Sequence, residues 1–485
     1  MTAFLDQVLY HITNLRDFLW GTPLIILLVG TGILLTIATR GIQISKLIQS
    51  IKLVFGKESR TSEGEGDISP FAALMTALAA TVGNGNIAGV ATAIAIGGPG
   101  APFWMWVAGF FGMATKYAEG FLGVRFRRVA DDGTMLGGPM YYAQDAVRNP
   151  KMGRFLGIFF AIAGAMTALF GTGNMAQSNS MALAFNDQFG VPFIITAVLL
   201  TFFVGLVIIG GIKRIGAWTE KLVPFMIVFY FLGAIIILVA RFTHIPEAFA
   251  VIIKSAFGIK AVAGAMMGVG IQQALSQGVS KGVLSNESGL GSAAIAQAAS
   301  KSDDPAKNGL LAMTGTFIDT IVVNTLTTLS IVLSGAYKLT EAWGGGTLTS
   351  TALTAEAFDS VVPLGWVIPI ASLLFGYSTL LAWCYYGEQC FKYLVGVQVA
   401  KWYRWVFLGL LFIGALLQGE HLYIVWFVGD TFNAFMAIPN LIALILLAGY
   451  VRKFTGEYFA DPEKALERLR RGEFLREFKR TPPEN

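Results

Sequence analysis

Cysteine and histidine are nearly absent: Cys384, Cys390, His11, His244 and His421 are all that 485 residues carry. The two cysteines fall in or near one apolar segment, which supports neither a disulfide framework nor a thiolate metal site. The histidines sit near segment ends and far apart in sequence, so they supply neither a metal centre nor the nucleophile and base of an intramembrane enzyme. Charge is scarce as well. Charged residues make up 13% of the chain and hydrophobic ones 55%, against about 25% charged in soluble domains. The apolar stretches repeatedly reach membrane-spanning length, so an all-α polytopic membrane protein is expected. The basic start, apolar stretch and small-residue cleavage site of a signal peptide are missing, since Asp6 and Arg16 interrupt the first segment. The net charge of +5 does not imply nucleic acid, because the basic residues sort by membrane side.

What the chain does have is a polar interruption inside an apolar segment. Residues Thr81 to Val90 read Thr-Val-Gly-Asn-Gly-Asn-Ile-Ala-Gly-Val within the stretch Phe71 to Gly97. Gly83, Gly85 and Gly89 relax the backbone, while Asn84 and Asn86 place side-chain dipoles where hydrocarbon tolerates neither loose backbone nor bare amides. The half-helices on either side, of about twelve residues each, rise about 18 Å, so the gap falls near the bilayer midplane. Such a break leaves carbonyls at one half-helix end and amides at the other, which suits a cation beside a carboxylate. Tight helix packing would account for the glycines alone; two asparagines flanking one glycine favour a polar, protein-lined cavity. The glycine spacing is G-x-G-x-x-x-G without a preceding strand, so no dinucleotide fingerprint is present.

In chain order, residues 2 to 19 carry apolar residues at helical spacing and predict an amphipathic surface helix. A first spanning helix follows at about Trp20 to Thr39, then a basic connector. After the broken helix, a Gly-Gly-Pro-Gly turn leads to a helix from Ala101 to Phe126 in which Lys116 and Glu119, three apart, are expected to pair. One helix is predicted from Phe155 to Phe185, with a polar run from Gly171 to Ser180, then helices at 191 to 212 and 219 to 241. Residues 246 to 260 read as interfacial. A second set opens with Gly264, Gly268 and Gly270, continues through Gln272, Gln273, Ser276, Gln277 and Gly278, and is followed by a short Ala-rich helix ending near Ser300. Helices at 308 to 334, 364 to 389, 402 to 418 and 422 to 449 complete it. The loop 337 to 363 is expected to cap an outer vestibule with its amphipathic run Leu353 to Val361, and the tail from Arg452 is basic and amphipathic.

Two Gly-interrupted segments, each leading five helices, form the arrangement of inverted repeats around a midplane site. The expected organisation is 1–69 for a surface helix, an extra spanning helix and the connector, 70–245 for the first repeat, 246–450 for the second and 451–485 for the tail. With the N-terminus outside, only Arg16, Arg241, Lys254, Lys260 and Lys338 of the 35 basic residues fall on outer segments, and Lys116 lies within a helix. This asymmetry predicts eleven spans, amino end out and carboxyl end in the cytoplasm.

The run Gly97 to Gly109, Gly-Gly-Pro-Gly-Ala-Pro-Phe-Trp-Met-Trp-Val-Ala-Gly, resembles the signature of the alanine or glycine:cation symporters; Pro102 departs from the usual pattern. Gly83 to Val90 and Ser285 to Ser292 are similar to the family's other characteristic runs. The resemblance implies a leucine-transporter-like fold, five plus five inverted helices behind one extra amino-terminal helix, in a cell membrane, and sodium-driven symport of alanine or glycine. It implies a sodium site from the carbonyls of Ala79 and Val82 and the hydroxyls of Ser378 and Thr379, beside Phe375. Neutral oxygens suit a hard monovalent cation, although either hydroxyl could equally bond back to its own helix.

For the amino acid, the expected contacts are Thr81, Gly83 and Asn84 at the break, the amides of Gly85, Asn86 and Ile87 for the carboxylate, and Gln177 with the Gly268, Gly270 and Gln272 stretch for the ammonium. Trp383 and Phe170 would limit side-chain size. Asp319, Glu388 and Asp430 are either partners of neighbouring dipoles or steps of an ion route. No cofactor and no obligate protein partner is expected beyond sodium as coupling ion, the amino acid and membrane lipid. Proton coupling is the nearest alternative; the 219 to 241 helix offers only Lys221, at its inner end, for it. A channel would show repeated filter loops, whereas this chain has two unlike breaks.

Overall fold

A computed structural model describes residues 2–61, 64–258, 270–418 and 420–480. The chain is helical almost throughout. Among the described residues, seven helices are long and apolar enough to cross a membrane, eight if the bent pair at the polar interruption counts as one span. The exceptions to the all-α expectation among the described residues are a hairpin of two two-residue strands, Arg128–Val129 against Met135–Leu136, and an isolated bridge between Ile68 and Ser300.

The broken helix is present where the sequence puts it. Pro70–Thr81 is opened by Ser69, whose hydroxyl accepts the Ala72 amide, with Pro70 at the first turn where no amide is needed. The chain then turns by 47° and resumes at Gly85–Gly97, first as a π-helical turn over Gly85–Gly89 and then as Val90–Gly97. Pro70–Thr81 is buried along its whole length, so it runs through the middle of the protein and not along lipid. Against it lie Gly211–Ala240 and Val367–Val395.

The segment expected as one helix from 155 to 185 is two: Pro150–Phe170 and Met175–Phe189. The polar run does not merely face inward; it breaks the helix. A Cβ on Gly171 would meet the Gly429 Cα at 3.0 Å, and one on Gly173 would sit 2.9 Å from the Trp383 ring. The asparagines that follow serve a neighbouring helix, Tyr403–Leu416. Asn174 donates to the Phe407 carbonyl at 2.9 Å, and Asn179 to Gly414 and Leu417 at 3.0 and 2.7 Å. Buried amides therefore satisfy backbone oxygens that lipid could not.

The second set is interrupted differently from the first. Its expected opening falls partly outside the described residues, which include neither Gly264 nor Gly268; the helix there is Ile271–Asn286. Pro305–Thr316 passes through a π-helical stretch, Phe317–Val323, into Asn324–Ser334. The loop helix Ser350–Asp359 does reach inward, its Thr354 hydroxyl donating to the Ile87 carbonyl at 3.1 Å. The last long helix, Glu420–Ala460, carries the tail helices Pro462–Arg470 and Glu473–Arg480 at its end.

Lys116 and Glu119 are both buried in Ala101–Arg125, yet the expected pair does not form. Glu119 Oε1 instead accepts the amides of Gly289 and Gly291, both at 3.0 Å, and Asn440 Nδ2 at 2.8 Å, while Lys116 Nζ has no hydrogen-bond partner. Three N–H donors hold the carboxylate in the turn between two helices, which draws it away from its own helix face.

Candidate ion and substrate site

The break is fixed from behind by a buried polar network. Asn86 Oδ1 accepts the Gly83 amide at 2.8 Å, and Asn86 Nδ2 donates to Asp319 Oδ1 at 2.7 Å and Asn324 Oδ1 at 2.9 Å. Asp319 also accepts Ser285 Oγ at 3.2 Å and Thr320 Oγ1 at 2.8 Å, and Thr327 Oγ1 donates to the Asn86 carbonyl at 2.8 Å. Asn86, Asp319, Asn324 and Thr327 are all essentially solvent-free. Asn86 thus faces the protein interior, and its own amide is taken by the Gly83 carbonyl at 3.0 Å. It drops out of the expected carboxylate-binding trio and becomes the brace of the break.

In front of the break lies a cavity of 450 Å³, the size of a small-molecule site. Its wall includes Thr81, Gly83, Asn84 and Gly85 from the break, Gln177 from the second broken segment, and Thr379 and Trp383 from Val367–Val395. Gln177 is buried and its Nε2 has no partner, packed where a Cβ on Gly376 would come within 2.6 Å. An amide offers a carboxylate its nitrogen and an ammonium its oxygen, so this side chain can read either end of a zwitterion. Phe170, Ile87 and Gln272 do not line the cavity. Gln272 is exposed in the first turn of Ile271–Asn286, which Gly270, exposed too, precedes as N-cap, so these two are not at the cavity, and Gly268 lies outside the described residues.

Three charged residues that the sequence reading did not assign to the substrate line the same cavity: Glu287, Lys281 and Asp430. Glu287 is buried, ends Ile271–Asn286 in a left-handed conformation with φ 55°, and accepts Trp383 Nε1 at 3.0 Å and the Ser292 hydroxyl. Its signal was available: a carboxylate inside the run Ser285 to Ser292, flanked by apolar sequence. Of the carboxylates left open, Glu388 is held in a buried ion pair with Arg404, at 2.8 Å, and Lys392, at 3.2 Å, and is structural. Asp430 belongs to the cavity.

The hydroxyls of Ser378 and Thr379 come to the end of the first half-helix. They lie 3.1 and 3.2 Å from the Ala79 carbonyl oxygen, and each is 2.9 Å from the Phe375 carbonyl of its own helix. Each hydroxyl has one proton and two acceptors. With both protons on Phe375, the Ser378 and Thr379 hydroxyl oxygens both lie beside the Ala79 carbonyl oxygen with lone pairs unshared. Gly83 permits the approach: a Cβ there would lie 2.9 Å from Thr379 Oγ1. Val82 caps the half-helix, its amide bonded to the Leu78 carbonyl at 2.7 Å, and is fully buried beside this group.

A helical membrane protein with an interrupted helix, a neutral-oxygen cluster at the interruption and a charged cavity beside it has the makings of a membrane transporter of small solutes. The chain belongs to the sodium:alanine symporter family, whose sequence profile matches residues 5–470. The sodium/alanine symporter AgcS of Methanococcus maripaludis is 49% identical over 442 residues, covering 91% of this chain and 95% of that protein. A Bacillus subtilis protein named "Probable sodium/glutamine symporter GlnT" is 35% identical over 453 residues, 92% of this chain and 90% of its own. Among solved structures, an Eremococcus coleocola manganese transporter aligns over 86% of this chain and 79% of its own with a TM-score of 0.40 and 17% identity.

Proposed function

We propose that this protein is a sodium-coupled symporter of small neutral amino acids, alanine and glycine, working by alternating access. The reading is supported above all by the convergence of Ala79 O, Ser378 Oγ and Thr379 Oγ1 at the end of the half-helix that also forms the cavity wall. Sodium binds those oxygens with the carbonyl of Val82. The amino acid lies in the cavity with its carboxylate toward the break at Gly85 and its ammonium toward Glu287. Gln177 fixes its orientation, and Trp383, held by Glu287, closes the side-chain end.

The proposed frame is the five-plus-five inverted repeat, 70–245 and 246–450, with the 1–69 segment ahead of it and eleven spans in a cell membrane. The N-terminus lies outside and the 451–485 tail in the cytoplasm. Sodium and substrate share the Thr81 to Asn86 backbone, so ordering it for one lowers the cost for the other. One sodium ion crossing 100 mV contributes about 2.3 kcal/mol, enough for roughly fiftyfold accumulation before its concentration gradient is added. Equal alanine affinity with and without sodium, measured by equilibrium binding, would sink the shared-backbone account.

Proton coupling is a second reading that one observation favours: Asp319 is a fully buried carboxylate in direct contact with the brace of the break. Uptake under separate sodium and proton gradients distinguishes the two.

A further inference from the structure

A cavity larger than the one at the break lies elsewhere among the described residues. A groove of 1330 Å³ opens where the end of Thr22–Ala38, the start of Pro150–Phe170 and the end of Glu420–Ala460 meet the last tail helix. One wall is apolar and open: Met152, Ile445 and Leu446 are 37%, 39% and 39% exposed. The other end is basic, with Arg40, Lys46, Arg148, Arg452 and Lys453 against only Glu457 and Glu477.

Both acids are paired, Glu457 with Arg468 and Glu477 with Lys453 and Arg468. Arg148 stacks over the Phe478 ring at 4.7 Å and donates to its carbonyl at 3.1 Å, and Lys46 sits over the Phe459 ring at 4.3 Å. That leaves two guanidinium groups. Arg40 and Arg452 are exposed, and among the described residues neither makes an ion pair or a side-chain hydrogen bond. Arg40 is held at φ 56°, a conformation few residues other than glycine adopt, by the turn that Gly41 closes onto the Thr36 carbonyl at 2.8 Å.

Positive charge without a protein partner, at the mouth of an apolar groove between membrane-spanning helices, is complementary to one occupant. We propose that this groove binds the headgroup of an anionic phospholipid, with Arg40 and Arg452 on the phosphate and the acyl chains along Met152, Ile445 and Leu446. A zwitterionic lipid leaves the excess charge uncompensated, and a free anion leaves the apolar wall bare. Basic pockets between spanning helices recognise anionic headgroups in this way. A lipid seated there ties the first spanning helix to the tail through contacts that neither makes alone.

The test is thermal unfolding of the purified full-length protein in neutral detergent, titrated with dioleoylphosphatidylglycerol, dioleoylphosphatidylcholine or inorganic phosphate, for the natural chain and the Arg40→Gln/Arg452→Gln variant. Phosphatidylglycerol is expected to raise the unfolding temperature where the other two do not. The variant should need on the order of thirtyfold more of it for the same shift, from two lost charges near the headgroup. An unchanged midpoint in the variant overturns the site. Phosphate matching phosphatidylglycerol makes it a free-anion site, and phosphatidylcholine matching it removes charge recognition; either outcome overturns the proposal. Should the double variant not be recovered folded, the single variants carry the test through native mass spectrometry. Each is expected to retain less phosphatidylglycerol than the natural chain, and equal retention overturns the proposal.

Discussion

Trp383 Nε1 donates to Glu287 Oε1 at 3.0 Å, and both side chains line the same cavity. In the proposed binding mode the ring that closes the side-chain end is therefore positioned by the carboxylate placed toward the ammonium. Glu287→Gln keeps an acceptor for the tryptophan and removes the charge. A hydrogen bond to a charged group is worth about 1.5–3 kcal/mol, so the KM for alanine should rise roughly ten- to a hundredfold, with the protein still folded. An unchanged KM in uptake kinetics would place the ammonium elsewhere.

Gly83 and Gly89 make a paired test of the cation cluster. A Cβ at Gly83 would press within 2.9 Å of Thr379 Oγ1, whereas at Gly89 nothing lies within 4 Å. Gly83→Ala should raise the sodium concentration for half-maximal uptake at least tenfold, while Gly89→Ala leaves it within about twofold, a loss of roughly 1.4 kcal/mol against almost none. Equal behaviour of the two would argue against a cation at Thr379.

Asn86 braces the break through five buried hydrogen bonds of its side chain and carbonyl, two to Asp319 and one each to Gly83, Asn324 and Thr327. Asn86→Ala leaves Asp319 and the Gly83 amide short of partners inside the protein, at about 1–3 kcal/mol for each orphaned group. A clear fall in unfolding temperature is expected. By contrast Glu388→Gln, which strips the charge from the Arg404 and Lys392 pair, should lower stability by about 3–5 kcal/mol without altering the sodium dependence of whatever folded protein remains.

The tail predicts a pH dependence. Glu477 is held below the usual glutamate range, first by its hydrogen bond from Lys453 and then by the nearby charge of Lys453 and Arg468. A lowered folded-state value means that the stabilisation is present above the ordinary glutamate range and is lost as pH falls through the lowered value. Protection against hydrogen exchange in Glu473–Arg480, measured relative to the intrinsic exchange rate at each pH, should therefore be high at neutral pH and fall in acid, and Lys453→Gln should move that onset toward neutral. A protection factor that does not change with pH would separate the tail from this ion pair.

The break from Gly83 to Asn86 was legible because glycine and asparagine have no place in a lipid-facing helix. The proposed cation site rests on the resemblance; what the sequence did not show is the close approach of Thr379 to Gly83, which brings its hydroxyl to the end of the half-helix. Less was legible in the segment from Pro150 to Phe189, where polar residues suggested an inward face and not a break, since the obstruction comes from Gly429 and Trp383, distant in sequence. Glu287 went unassigned although its place in the run Ser285 to Ser292 offered a signal, because a charge between two helices reads as a solvated turn until the packing of Trp383 against it shows that the turn is buried. Gln272 misled for the opposite reason, its Gly-rich context resembling a second midplane break while its side chain is exposed at a helix start.

The most direct measurement is uptake of labelled alanine into proteoliposomes under an inward sodium gradient, with matched potassium and proton gradients as controls. The account predicts accumulation only with sodium, abolished by Thr379→Ala while that variant still binds alanine weakly. Uptake driven by the proton gradient alone, or sodium-driven uptake unaffected by Thr379→Ala, would contradict the proposed cation site.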